Sequence, residues 1–158
     1  MTGNYTEWHF TLFSEQYKIL ENRLFFLASE FPDTFHTHED VKFFKRIRTS
    51  MDKCLEYPEA NEYALGDTLA RQKYDGKLLG KNYSNWRRIK NNMPPRYRLF
   101  FVFSSGERIV IFSWLNDGSS LRREGHKSDV YAVFAKLIAG GKIPSLFSAL
   151  QQESNPMP

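Results

Sequence analysis

Two short segments carry cations at alternate positions: Trp86-Arg87-Arg88-Ile89-Lys90 and Arg96-Tyr97-Arg98-Leu99-Phe100-Phe101-Val102-Phe103. In a β-strand successive side chains point to opposite faces. The first segment then puts Arg88 and Lys90 on one face with Trp86, leaving Arg87 and Ile89 on the other. The second puts Arg96 and Arg98 with Phe100 and Val102, opposite Tyr97, Leu99, Phe101 and Phe103. Asn91 to Pro95 is a turn, because its two prolines forbid a continuing central strand. Antiparallel pairing across that turn gathers Arg88, Lys90, Arg96 and Arg98 on one patch. Like charges so placed repel, and no run of carboxylates follows nearby to offset them. A bound polyanion does. Two loops offer further cations. Leu121 to Lys127 carries Arg122, Arg123 and Lys127. Asp75 to Lys81 sets Lys77 and Lys81 beside glycines that let backbone approach a phosphate, although its spacing alone describes a plain surface turn.

The elements that must position these groups are legible in outline. Arg96–Phe103 and Ile109–Trp114 flank Ser104-Ser105-Gly106-Glu107 as a β-hairpin, with the Tyr97, Leu99, Phe101, Phe103 face as core. Trp8, Phe10 and Leu12 alternate with His9 and Thr11 as a short strand. A helix opening at Ser14 carries the stripe Phe13, Tyr17, Leu20, Leu24, Leu27, Phe31 and stops at Pro32. A second begins near Thr37, paired with Asp40 as a capping box, with the stripe Val41, Phe44, Ile47, Met51, Leu55. Lys42, Lys45, Arg46 and Lys53 fall on its solvated side. Residues 61–74 hold at most another helical turn. Ser128 is the expected N-cap of a last long helix burying Val130, Val133, Phe134, Leu137 and Ile138, and Gly140-Gly141 ends it. The 158 residues suit a single domain over 1–150, with 151–158 a disordered tail.

Lys and Arg number 22 against 18 Asp and Glu, a net charge of +4. So mild an excess favours an anionic partner only where the cations cluster. The single cysteine, Cys54, excludes a disulfide framework and a cysteine zinc site; His36 and His38 lack a third ligand, so no metal is expected. Neither a signal-peptide pattern nor a membrane-spanning apolar run is present. A reducing, cytoplasmic compartment and no membrane partner follow as expectations.

The blocks Leu79-Gly80, Trp86-x-Arg88-Ile89-Lys90, Arg96-Tyr97-Arg98-Leu99-Phe100-Phe101, Trp114-Leu115-Asn116-Asp117, Leu121-Arg122, Gly125, Lys127, Asp129, Tyr131 and Phe134 recur in order. In these the chain resembles the YhaV family of bacterial type II toxins, in detail over the second half and as pattern over the first. The resemblance implies an α+β fold of RelE/ParE type: an N-terminal helical hairpin packed on a curved antiparallel β-sheet, plus a C-terminal helix. It implies a cofactor-free RNA endonuclease, an mRNA interferase that blocks translation and growth. Its partners would be an antitoxin of PrlF type with an AbrB/MazE-like domain, RNA either free or on the ribosome, and operator DNA only through the antitoxin complex. The chain departs from the family pattern at Met93-Pro94-Pro95, Glu124 and His126.

Residue by residue, the resemblance makes Arg88 the residue on which activity depends, with Lys90 and Arg98 at strand positions where such nucleases place cations. Metal-free cleavage uses the 2′-hydroxyl as nucleophile, leaving a 2′,3′-cyclic phosphate and a 5′-hydroxyl. Arg88 and Arg98 are assigned to the phosphate, and Lys90 and Lys127 to charge stabilisation or proton transfer. Arg96, Arg122, Tyr131, Lys77 and Lys81 are assigned to RNA contacts, with Trp86, Trp114 and Tyr131 able to stack on bases or, for the tryptophans, to be core. Asp117, His126 and a lysine of depressed pKa are the alternatives for the general base, with Asp117 also a turn former and Asn116 a loop anchor. The competing reading is a non-hydrolytic toxin or binding module using the same face on ribosomal RNA or on a protein target such as gyrase.

Overall fold

The computed structural model describes residues 4–158, apart from the side chains of Asp67, Tyr74, Lys81 and Asn82. In chain order the elements are β1 (Thr6–Phe10), α1 (Thr11–Glu30), α2 (Glu39–Glu56), α3 (Gly66–Ala70), β2 (Lys73–Tyr74), β3 (Lys77–Leu78), β4 (Arg87–Ile89), β5 (Leu99–Ser104), β6 (Ile109–Leu115), α4 (Val130–Ala139), α5 (Phe147–Gln152) and β7 (Ser154–Pro156). The fold is α+β, with a five-stranded sheet in the order β4-β5-β6-β1-β7 and a separate ribbon of β2 and β3.

The β5–β6 hairpin forms as its alternation requires, and both of its faces are covered. Leu99, Phe101, Val110 and Phe112 pack with Phe13, Ile47, Met51 and Leu55 from α1 and α2. Phe100, Val102, Ile111 and Trp114 pack with Tyr131, Phe134 and Ile138 from α4. A register shift lies between Phe100 and Phe101, whose partners are Trp114 and Phe112. Ser113 is the extra residue of that bulge. It changes the parity of β6, so that Trp114 turns to the α4 side instead of following Phe112.

Two expectations fail for the same reason. The sheet is not wholly antiparallel, because β1 runs parallel to β6, with Trp8 beside Ile111 and His9 beside Phe112. Residues 151–158 are not a disordered tail. They complete α5 and, as β7, pair antiparallel with β1, Phe10 opposite Ser154 and Trp8 opposite Pro156. Seated beside β6, β1 would otherwise present an open edge, and the C-terminal segment covers it. Both pairings join segments far apart in the chain that no local pattern connects.

Helix caps also differ. α1 begins directly at Thr11, and Phe31 at its far end is exposed. α2 is capped by His38, whose Nδ1 accepts from Asp40 N at 3.0 Å, because the residues before it form a 3₁₀ turn ending at Thr37. Its stripe Val41, Phe44, Ile47, Met51, Leu55 is buried as expected, with Cys54 beside it, and Lys42, Lys45, Arg46 and Lys53 lie in solvent.

Beneath α1 and α2 sits a charged cluster. Arg48 donates to both oxygens of Glu7 at 2.9 and 2.7 Å, and His9 Nε2 lies 2.6 Å from Glu7 Oε2. Burial pushes the Glu7 carboxyl up, but the hydrogen bonds of His9 and Arg48 outweigh it and hold its pKa at about 2, below the ordinary 4.5. A depressed carboxylate stabilises the fold above its unfolded pKa and loses that contribution as pH falls through the folded one. The urea midpoint is therefore expected to drop between pH 4.5 and 2, and to drop less steeply in Glu7→Gln. An identical slope in both proteins would show that the cluster contributes nothing to acid sensitivity.

Candidate functional site

β4 pairs with β5 so that Arg88 lies opposite Phe100 and Ile89 opposite Leu99. Ile89 packs towards α1 and α2, so alternation turns Arg88 to the α4 side, where Arg98 also points. Arg88 Nε donates to the Tyr131 phenol oxygen at 2.7 Å and its Nη1 to the Ala64 carbonyl. Arg98 Nε donates to the same oxygen at 3.2 Å and its Nη1 to the Tyr97 carbonyl at 2.9 Å. A phenol oxygen has two acceptor positions, and the two guanidiniums take both. Neither arginine meets a carboxylate among the described residues. Each keeps its Nη2 unpaired there. Arg98 is buried as a residue, and among the described residues the buried side-chain polar atom with no partner is Trp86 Nε1. Two planar cationic forks fixed on one phenol oxygen, with no carboxylate partner among the described residues, have the chemistry to pair with an oxyanion.

Tyr131 is the hub, and its role differs from the expected one. It is 3% exposed and packs edge-on to Phe100, while the Arg122 guanidinium lies 4.9 Å from its ring centroid. No base can stack there; the ring instead aligns three arginines. Trp86 and Trp114 are core residues, both packed on Phe134.

Arg122 is not a free cation. Its Nη1 donates to Asp129 Oδ1 at 2.8 Å. Asp129 is buried and also accepts from the backbone N–H groups of Arg123 and Tyr131. Burial raises its pKa, but these hydrogen bonds from Arg123, Arg122 and Tyr131 more than reverse that and leave it below the usual range. Asp129 is thus the N-cap of α4, in place of Ser128, because its side chain reaches the Tyr131 amide while also taking the guanidinium.

Asn116 ties the parts together, as its place in the loop suggested. Its Oδ1 accepts from Arg98 N at 2.7 Å, and its Nδ2 donates to the Arg96 and Ser120 carbonyls at 3.2 and 2.9 Å. Arg96 itself is exposed with φ +70°, a left-handed conformation costing of order 1–3 kcal/mol. Its carbonyl is held by Asn116 and Arg122 N, and its Nε donates to the Arg122 carbonyl at 3.2 Å.

None of the remaining expected residues bonds to the pair among the described residues. Lys90 and Lys127 are exposed, with no hydrogen bond or ion pair among the described residues. Lys127 and His126 line a groove beside Arg122. Lys77 is exposed just after a two-residue turn whose Asp75 and Gly76 both have positive φ, the hairpin type that Asp-Gly favours. The side chain of Lys81 lies outside the described residues. Asp117 does not fit a general base. Its Oδ1 accepts from Ser119 N, Ser119 Oγ and Ser120 Oγ, bonds that lower its pKa, those of Ser119 foremost. It also faces a different groove, with Ile19, Phe43 and Tyr97. Sequence reasoning missed the Ala64 carbonyl that anchors Arg88 and the cations Arg71, Lys73 and Lys136, which enter the groove from the turn after α3, from β2 and from α4; nothing in their own spacing marks them.

Over residues 8–155 the chain matches the Toxin_YhaV family, described as "Toxin with endonuclease activity, of toxin-antitoxin system". It belongs to the YhaV toxin family. Among curated proteins this YhaV-family chain is similar to Toxin YhaV of Escherichia coli O6:H1, 41% identical over 80 residues that make up 50% of this chain and 51% of the relative. It is 40% identical over the same length to Ribonuclease toxin YhaV of Escherichia coli strain K12. Each alignment thus spans about half of either protein. No solved structure matches the chain. Among the described residues no helix is long and apolar enough to cross a membrane.

Proposed function

We propose that this protein is the toxin of a type II toxin-antitoxin pair and acts as a metal-independent endoribonuclease of the RelE/ParE type, cutting mRNA in the cytoplasm and so arresting translation and growth. The observation that carries the reading is the Arg88–Arg98 pair: two guanidiniums without carboxylate partners among the described residues, fixed on one phenol oxygen. Cleavage by the neighbouring 2′-hydroxyl adds negative charge at phosphorus. Preorganised donors stabilise that charge without reorganising. Arg88 and Arg98 take the phosphate oxygens; Asn116 and Tyr131 hold them in place. Asp117 being committed to its turn, His126 and Lys90 are the groups left to move a proton. An antitoxin of PrlF type neutralises the toxin and carries the complex to operator DNA.

The test is incubation of purified protein with RNA in excess EDTA. The expected products carry 2′,3′-cyclic phosphate and 5′-hydroxyl ends. A 5′-phosphate product, or cleavage abolished by the chelator and restored by a metal ion, overturns the proposed chemistry. RNA bound but left intact turns the reading to a toxin that blocks its target without hydrolysis.

A further inference from the structure

A groove of about 540 Å³ runs from Arg122 between α3, β2 and α4, within the about 300–1,000 Å³ typical of ligand sites. Its walls bring Arg71, Lys73, Lys127 and Lys136 together with Arg122. The first four are exposed and carry no ion pair among the described residues. Two carboxylates share the groove. Asp129 is already consumed by Arg122, and Glu124 stands 91% exposed at the rim, 3.9 Å from Arg122. A plain solvated surface intersperses charges of both signs; this concavity concentrates one sign from three separate segments. Arg122 links it to the arginine pair: it lines the groove, and its guanidinium lies over the ring of Tyr131, whose oxygen holds Arg88 and Arg98.

We propose that this groove is a second binding site for the same RNA strand, in which Arg71, Lys73, Lys127 and Lys136 take the phosphates flanking the one held by Arg88 and Arg98. The inference rests on the proposed nuclease reading and extends it: the substrate is a single strand several nucleotides long, gripped through its backbone, not a mono- or dinucleotide. The four cations come on flexible stems and present no fixed donor pattern to base edges, so the groove adds affinity and salt dependence without choosing a sequence.

The experiment uses the full chain and a 2′-O-methyl oligoribonucleotide of about 12 nucleotides, which binds but cannot supply the attacking hydroxyl. Binding is measured by fluorescence anisotropy between about 50 and 200 mM salt. For wild type, log K falls linearly with log salt. For Lys73→Ala/Lys136→Ala the slope is expected to be shallower by about 1.4, since each phosphate contact on a single strand contributes about 0.7. Both lysines are exposed, so an unchanged circular-dichroism spectrum accompanies the loss. A double variant with the wild-type slope overturns the groove while leaving the nuclease reading intact. Wild-type protein that fails to bind the oligonucleotide at all removes both. Poly-glutamate that binds wild type and not the double variant, while RNA binding is equal in the two, assigns the groove to an acidic polypeptide and also overturns the proposal.

Discussion

Replacing Arg88 by alanine is expected to slow RNA cleavage by about a hundredfold to a thousandfold, the usual loss when one preorganised donor to a transition-state oxyanion is removed. The expectation depends on how the side chain is spent. Nε and Nη1 are committed to Tyr131 and Ala64, which holds the guanidinium in place and leaves Nη2 without a partner among the described residues. Removing it leaves Arg98 on the Tyr131 oxygen and no orphaned buried charge, so the fold should lose little. Arg88→Lys keeps the charge but forfeits the planar fork. It should recover only part of the rate, and that shortfall separates geometry from mere positive potential. An unchanged kcat in Arg88→Ala, in a protein whose circular-dichroism spectrum matches wild type, would remove Arg88 from the chemistry.

Phe134→Ala is expected to cost about 3–5 kcal/mol of stability, read from the shift in urea midpoint. Phe134 is fully buried. Its ring stacks on Phe100 at 3.9 Å and on Trp114 at 5.8 Å, and meets Trp86 edge-on at 5.1 Å. These partners come from β5, β6 and the residue preceding β4, so one ring joins α4 to three segments of the sheet layer. They are large, rigid and held by the sheet, which leaves the cavity little means of collapse. The same substitution should weaken cleavage, because Tyr131 sits one turn earlier on α4 and its oxygen sets both arginines. Phe134→Leu, which retains most of the volume, should cost less than about 1.5 kcal/mol. A loss below about 1 kcal/mol in Phe134→Ala would mean that α4 is not anchored through this ring.

Much of the site was readable because strand alternation is a local property. Once Trp86–Lys90 and Arg96–Phe103 are taken as neighbouring antiparallel strands, Arg88 and Arg98 must share a face, and they do. The same local logic gives the buried stripe of α2, the hairpin of β5 and β6, and a last helix that buries Val130, Phe134 and Ile138. Lys90 obeyed the alternation less usefully. It lies just beyond the end of β4, exposed, where the pattern no longer dictates direction.

By itself, then, the chain determined where its strands and helices form and which side of a strand each arginine takes, since those depend on residues a few positions apart. Tertiary structure decided what those arginines meet. Tyr131 reads as an aromatic available for stacking until Phe100 and Arg122 close over it; Arg122 reads as a free cation until Asp129, seven residues on, takes its charge. The parallel seat of β1, the C-terminal strand beside it and the basic groove of Arg71, Lys73, Lys127 and Lys136 likewise join distant segments. Burial and charge pairing are properties of such encounters, and no periodicity within one segment encodes its partner in another.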